Sequence, residues 1–380
     1  MQVKLGKYIT SYGDGLHGTP TYDDNGTHYF INGNNIFSDG LHFNSNTKKI
    51  SYEEYLKYKK DLTNALLISI NGSIGIACVY KNEPIMLGKS VGYFNFSQDI
   101  NIKYVKYIME LSNFKNWLLK VASGSTIKNV APKQILDFEM DLPDRKIQDE
   151  IVEILSGIDE QINRNNEIVK RLQVLVNTIY SKTFSGCKDR ISFYDYPYLE
   201  LLKPGITPFY GTKIYIPTAE VNGNNIKFNS LNITFENREN RANMQPVPNS
   251  VWFAKMKNSN KHLCLTQNDN YLVDNFILST GFCGVRCQDF AFEYIAGTVA
   301  LPYFEEMKDK LAHGATMESI NNDDLKSLFI HNPSKELLKQ YHNQTKDIYK
   351  QMSLIRIENH KLESLKNKLL PLLINSQLSM

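Results

Sequence analysis

The residues best suited to contact a ligand fall in three polar stretches. The first is Asp14-Gly15-Leu16-His17-Gly18-Thr19-Pro20, with Tyr22 just beyond; the second is Asn32-Gly33-Asn34-Asn35; the third is Lys255-Met256-Lys257-Asn258-Ser259-Asn260-Lys261. Side chains of these types hydrogen-bond nucleic acid: asparagine pairs with adenine, lysine with guanine, small hydroxyls with either. On that reading His17, Thr19, Tyr22, Asn32, Asn34, Asn35, Lys255, Lys257, Asn258, Ser259 and Lys261 are the candidate contacts. The same composition also makes ordinary turns, because asparagine and glycine favour them, and a solvated loop collects lysines as well.

Other chemistries find less support. His17 has no partnered nucleophile or carboxylate in a comparable motif, so it reads as a loop histidine rather than an acid–base catalyst. His262-x-Cys264 and Cys283-x3-Cys287 are not in zinc-finger or zinc-ribbon spacing and lie among Leu265, Phe282 and Val285. With Cys78 and Cys187 they make five cysteines without a regular framework, which suits buried thiols in a reducing compartment. No G-x4-G-K-[ST] phosphate loop occurs. Asp195-Tyr196-Pro197-Tyr198 lacks the first proline of the Asn/Asp-Pro-Pro-aromatic tetrapeptide of DNA amino-methyltransferases, and no glycine-rich cofactor turn accompanies it. We therefore expect no catalytic set, no metal and no cofactor.

What positions the polar stretches is a duplication. Gly124-Ser125-Thr126 recurs as Gly314-Ala315-Thr316, 190 residues on. At that offset Tyr104 matches Tyr294, Leu111 Leu301, Phe114 Phe304, Lys120 Lys310, Ala122 Ala312 and Pro143 Pro333, with no gap. Apolar positions track between them, Val130 with Ile320 and Ile135 with Leu325 among others. Such a period marks a repeated structural unit. Asn222-Gly223-Asn224-Asn225-Ile226 also echoes Asn32 to Ile36 at offset 190, although Tyr215 to Val221 is a rival counterpart.

Each half runs into a long helical pattern. In the first, Ile147, Ile151, Ile154, Ile158, Ile162, Val169 and Leu172 step by three and four, with Asn165 in the stripe and a stutter expected near Ile158. In the second, Leu338, Tyr341, Thr345, Ile348, Met352, Ile355, Asn359 and Leu362 continue towards Leu365, Leu369 and Leu372. Two amphipathic helices of about 40 residues would each expose an apolar stripe alone, so they should pair with each other; packing on their own globular domains is the alternative. Asparagines in such a seam cost stability but fix register.

The segments before the helices mix short strands and helices. Leu66–Ile70 and Ile74–Tyr80 read as strands turning at Asn71-Gly72, and Lys103 to Val121 as a helix. Ser250–Ala254 and Phe276–Ser279 read as strands, Tyr303 to Ala312 as a helix. The expected fold is therefore α+β: two similar globular domains (1–142 and 187–332) joined by two long antiparallel helices (143–186 and 333–378) in a pseudo-twofold duplication. At 380 residues the length suits such an assembly. No apolar run approaches a membrane span and the first residues lack a signal region, so a cytoplasmic protein is expected. The net charge of +3 is a weak pointer to nucleic acid, whose binders are often far more basic.

The sequence resembles the specificity subunit of type I restriction–modification enzymes. Gly124–Asn129 through Leu142-Pro143-Asp144-Arg145-Lys146-Ile147 is similar to that family's junction between recognition domain and helix. Asp14–Pro20 followed by Tyr29–Ile36 resembles one class of first recognition domain, and Leu278-Ser279-Thr280-Gly281-Phe282 a stretch of second ones. The resemblance implies a non-catalytic reader of double-stranded DNA, each recognition domain contacting half of a bipartite target and the helix pair setting the spacer. It implies two methylation subunits, which bring S-adenosylmethionine, and restriction subunits, which bring ATP-driven cleavage. The alternative is a coiled-coil scaffold or adaptor without sequence readout.

Overall fold

The computed structural model describes residues 2–223, 225–226, 231–315 and 317–375. Asn224 and Thr316, and the last residues expected for the second helix, lie outside them. The chain forms two compact units, Met1–Gln161 with Glu363–Met380, and Ile162–Leu362.

In the first unit the strands are β1 (Gln2–Lys4), β2 (Ile9–Asp14), β3 (His28–Ile31), β4 (Lys49–Ile50), β5 (Ala65–Ser69), β6 (Ala77–Val79), β7 (Ile85–Leu87) and β8 (Val91–Phe96). Helices α1 (Ile102–Glu110) and α2 (Ser112–Val121), strand β9 (Glu139–Asp141) and helix α3 (Arg145–Phe184) come next. One sheet has the order β2-β8-β5-β6, a second β4-β3-β7 with β3 and β7 parallel, and β1 pairs with β9. Every residue of β5 is buried, as its unbroken apolar run demands of a strand covered on both faces. Leu66 and Ile68 enter the cluster beneath the helices, while Leu67 joins Cys78 and Val91 on the opposite face.

The second unit repeats this order. Its strands are β10 (Arg190–Ser192), β11 (Leu199–Leu202), β12 (Lys213–Ile216), β13 (Leu231–Ile233), β14 (Ala242–Met244), β15 (Ser250–Ala254), β16 (His262–Leu265), β17 (Phe276–Ser279) and β18 (Phe282–Cys287). Then come α4 (Phe292–Val299), α5 (Pro302–Leu311), β19 (Phe329–His331) and α6 (Lys335–Ile374). The sheets run β11-β18-β15-β16 and β13-β12-β17-β14, again with a central parallel pair, β12 and β17. In β15, Val251 and Phe253 face one core and Trp252 and Ala254 the other.

The repeat extends to single hydrogen bonds. Fully buried Tyr104 donates its hydroxyl to the Asp141 carbonyl (3.4 Å), and its counterpart Tyr294 donates to that of His331 (2.6 Å). The helix expected over Lys103 to Val121 is broken at Leu111, which is extended (ψ 149°), as is Leu301 (ψ 141°) in the second copy. Pro302 explains that second break, since the residue before a proline avoids the helical region. The expected two-residue turn at Asn71-Gly72 is instead a longer loop: β6 begins only at Ala77, because Ile70 donates to the Ser90 carbonyl (3.0 Å) and Asn71 bridges to Asn129.

The long helices contribute to both units. In the first, Ile151, Val152 and Leu155 of α3 share a core with Leu370, Leu373 and Ile374 of α6. In the second, Val176, Tyr180 and Phe184 pack with Leu338, Tyr341 and Met352. Later residues of α3 thus meet earlier residues of α6, and the helices are antiparallel. Ile151, Met352 and Ile355 are buried, and Ile158, Ile162, Val169, Leu172, Ile348 and Leu362 half-buried. Ile147 and Ile154 are instead 38% and 42% exposed. Leu155 takes the place of Ile154, and the buried or half-buried Ile151, Leu155, Ile158, Ile162, Asn165, Val169 and Leu172 step alternately by four and three, so the stutter expected near Ile158 is absent. Among the described residues no helix is long and apolar enough to cross a membrane.

Candidate nucleic-acid interface

In the first unit the polar stretches meet where the parallel strands β3 and β7 end side by side. Ile31 pairs with Leu87, and the chain continues into Asn32–Asn35 and Gly88–Ser90. Ser90 Oγ donates to Asn32 Oδ1 (3.2 Å) and accepts from the Gly33 amide (2.9 Å). The loop carrying His17 joins them, since the Leu16 amide donates to the Leu87 carbonyl (2.8 Å). A side chain at Gly15 would put Cβ 2.1 Å from that carbonyl oxygen, so this approach requires glycine.

The candidate side chains divide into working turns and outward groups. Asn35 is structural: its Oδ1 accepts from the Asn32 amide (3.0 Å) and its Nδ2 donates to the His42 carbonyl (3.0 Å). Asn34 and Thr19 are exposed. Exposed His17 is paired with Asp14 through Nε2 at 2.7 Å. Tyr22 is 42% exposed, its ring resting on Phe30 with Lys48 Nζ 5.9 Å above.

In the second unit β12 and β17 end in the same way, with Ile216 opposite Leu278. The chain leaves β12 through Pro217–Glu220, so this segment, rather than Asn222 to Ile226, occupies the place of Asn32–Asn35. Val221–Asn222 and Asn225–Ile226 pair as a separate hairpin. The lysine-rich loop is tied down at nearly every residue. Lys261 Nζ donates to the Thr218 carbonyl (2.9 Å), and Lys257 Nζ pairs with Glu318 (2.8 Å). The Asn258 amide donates to Asp309 Oδ1 (3.0 Å), and fully buried Lys308 donates to the Ser259 carbonyl (3.0 Å). Lys257 and Lys261 are therefore each engaged by a partner of the same chain, Lys257 in a solvent-exposed pair, and Lys255 is the lysine of this loop without such a partner among the described residues.

The repeated junction supports both loops. Ser123 pairs with Asn129 and His313 with Ser319, each closing a turn around a glycine in the left-handed region, Gly124 (φ 90°) and Gly314 (φ 132°). From these turns the Lys128 carbonyl accepts from the Gly72 amide and the Glu318 carbonyl from the Lys257 amide, both at 3.0 Å. The turn thus braces the loop after the central strand of each unit.

One further match between the units gives no signal at the fixed offset of 190. Thr19-Pro20-Thr21-Tyr22 has a counterpart in Thr207-Pro208-Phe209-Tyr210, each lying just beyond the first strand of its four-stranded sheet. The offset hides it because His17-Gly18 has no equivalent between Ile206 and Thr207. A gapped comparison of Gly15-Leu16 with Gly205-Ile206 would reveal it.

Cys78, Cys264, Cys283 and Cys287 are buried thiols. Burial pushes the thiols of Cys264 and Cys283 up to about 12, so both stay protonated. Among the described residues no cluster of three or more histidine, cysteine or acidic side chains is placed to hold a metal.

Known proteins share features of this chain. Residues 18–174 match the family described as the type I restriction modification DNA specificity domain. The S subunit of a type I restriction–modification system from M. genitalium is 13% identical over 100% of this chain and 96% of that one, with a TM-score of 0.55. The HsdS subunit from Thermoanaerobacter tengcongensis is also 13% identical, covering 100% of this chain and 97% of its own, with a TM-score of 0.33. At such identity the first of these two structures establishes a shared fold.

Proposed function

From the match of residues 18–174 to the type I restriction–modification DNA specificity domain, we propose that the chain is the subunit that selects the DNA target of such a system. Each unit reads one half of a bipartite sequence in double-stranded DNA, through the loops beyond its parallel strand pair. The helix pair α3 and α6 acts as a ruler that fixes the unspecified spacer, as protein geometry fixes half-site spacing in other paired readers. Exposed Thr19 and Asn34 and half-buried Lys255 are the side chains we assign to base or phosphate contact; Asn32, Asn35, Lys257, Asn258, Ser259 and Lys261 shape the loops. Two methylation subunits docked on this chain would supply S-adenosylmethionine and methyl transfer to adenine. Restriction subunits would supply ATP-driven cleavage. Those partners also account for the small net charge, since they can carry much of the phosphate contact.

The observation that carries this reading is the repetition of one recognition framework in two units, down to the Tyr104–Asp141 and Tyr294–His331 hydrogen bonds. A scaffold needs no such pair of matched loop clusters. The test is to map methylated adenines in cells carrying the chain with its methylation subunits. Replacing residues 1–142 by another recognition domain should change one half of the target and leave the other. Inserting one heptad into both helices should lengthen only the spacer. A bipartite pattern unaltered by either change would sink the proposal.

A further inference from the structure

The repeated Thr-Pro-x-Tyr segment ends in an aromatic ring that the protein leaves in water. Tyr210 is 105% exposed, the value of a side chain touching nothing of its own chain. A tyrosine ring is a large apolar surface, and burying one contributes favourably wherever a partner is offered. The segment is nonetheless well fixed. The Gly205 amide donates to the Asn243 carbonyl (2.8 Å), and Gly205 (φ 145°) and Gly211 (φ 76°) bend the chain on either side. Phe209 anchors it from below, edge-on to Phe235 with centroids 5.9 Å apart. One ring holds the loop while the next projects from it.

Two cations border the anchoring rings, although Glu236 and Glu239 stand on either side of Arg238 in the sequence. Lys213 Nζ lies 5.2 Å from the centre of the Phe209 ring, and the Arg238 guanidinium 4.3 Å from that of Phe235. In the first unit Tyr22 sits on Phe30 and beneath Lys48. A projecting aromatic beside positive side chains is the arrangement by which proteins stack on a base while following its phosphates. On duplex DNA such a ring enters a base step as a wedge, or covers a base whose neighbour has been drawn out of the helix for modification.

We propose that Tyr210 stacks on a base within the half-site read by the second unit, and that Tyr22 does so in the half-site of the first. The proposal rests on the specificity reading above and adds to it the residues that contact base faces rather than base edges. It also gives the exposed ring a reason to survive in both copies of a repeat whose flanking residues differ, Thr21 standing where the second copy has Phe209.

The chain with its methylation subunits is first used to enrich its target from a random-sequence duplex library. Affinity for that duplex is then measured for Tyr210→Ala, Tyr210→Phe, Tyr210→Trp and Tyr22→Ala across a range of salt. Tyr210→Ala should weaken target binding on the order of 10-fold, the loss expected for one base–aromatic stack. The phenylalanine and tryptophan variants should stay within about threefold of the parent, since the ring and not the hydroxyl stacks. The salt slope should not change, because no phosphate contact is removed. Repeating the enrichment with Tyr210→Ala and Tyr22→Ala should relax base preference in opposite halves of the target. Unchanged affinity of Tyr210→Ala, or an equal loss in Tyr210→Phe, overturns the stacking role while leaving the specificity reading intact. Failure of the parent assembly to enrich any sequence overturns both.

Discussion

Asn165 of α3 donates from Nδ2 to Oδ1 of Asn359 in α6 at 2.8 Å, and Asn359 Nδ2 in turn donates to Asn166 Oδ1 at 3.0 Å. Asn165 is buried on the packed face of α3, with Ile162 and Val169 as its apolar neighbours along the stripe. A one-turn slip of either helix would bring the amide against an apolar side chain, so the pair penalises every other register. Asn165→Ala should therefore lower stability by about 1–3 kcal/mol, because it leaves the Asn359 amide short of a partner. Replacing both Asn165 and Asn359 by leucine should be neutral or stabilising, at the expense of register. Urea denaturation measures the first effect. The second would show as a broadened spacer when methylated sites are mapped.

The end of α6 is held to the first unit by charge. Lys366 lies 3.0 Å from Glu110 and 2.7 Å from Asp159; Lys106 lies 2.5 Å from Glu110 and Tyr107 donates to Asp159 at 2.8 Å. Burial by itself would raise the Asp159 carboxyl, but Lys366 and Lys106 outweigh it and hold the pKa below the usual value. Stability from Asp159 is thus present above the ordinary carboxylate range and lost as pH falls through the lowered one. Lys366→Met should cost roughly 2 kcal/mol at neutral pH, less than a fully buried pair because the cluster is partly solvated. Asp159→Asn in that background should recover part of it. Hydrogen exchange of the amides over 363–374 reports the local opening; unchanged protection in Lys366→Met would refute the clamp.

That cluster also explains where the sequence misled. The apolar steps Ile147, Ile151, Ile154 and Ile158 suggested one stripe, but the packed one includes Gln148 and Asp159, which a hydrophobic pattern discards as polar. Gln148 is buried because it accepts from the Asn101 amide (2.9 Å) and donates to the Pro143 carbonyl (2.9 Å). A partner as distant in sequence as Asn101 leaves no local signal. The duplication was legible because its matched residues, such as Phe114 and Phe304, fill equivalent cores and tolerate little change in volume. The surroundings of the candidate loop side chains were only half legible. Lys261 and Lys257 have the composition of a basic loop, yet Thr218 and Glu318, which engage them, arrive from other elements.

The junction glycines should be intolerant. A Cβ on Gly124 would sit 2.1 Å from the Ile127 carbonyl oxygen and one on Gly314 2.7 Å from that of Met317, both at positive φ. Gly124→Ala and Gly314→Ala are each expected to cost about 1–3 kcal/mol. Each should also loosen the loop its turn braces, Gly72 in the first unit and Lys257 in the second. Thermal unfolding measures the first consequence, and selection from a duplex library should show degraded preference in one half of the target per variant.

The second unit should weaken in mild acid through His262. Burial of its ring lowers the pKa to about 4, assisted by the Arg356 charge, and its Nδ1 is buried without a hydrogen-bond partner. A histidine with a depressed folded-state pKa contributes its full stability above its unfolded value, near 6.5, and loses it as pH falls towards the folded one. The second unit should therefore lose up to roughly 3 kcal/mol between pH 6.5 and 4, since each unit of pKa difference corresponds to about 1.4 kcal/mol. His262→Gln removes the titrating group while keeping a polar side chain of similar reach. In that variant the slope of unfolding free energy against pH should flatten across this window, whatever its effect at neutral pH. The acid sensitivity contributed by Asp159 in the first unit lies lower, below the ordinary carboxylate range, so the two transitions are separable in one titration. If His262→Gln leaves the slope between pH 6.5 and 4 unchanged, another group carries the acid sensitivity and the neutral, enclosed imidazole is the wrong explanation.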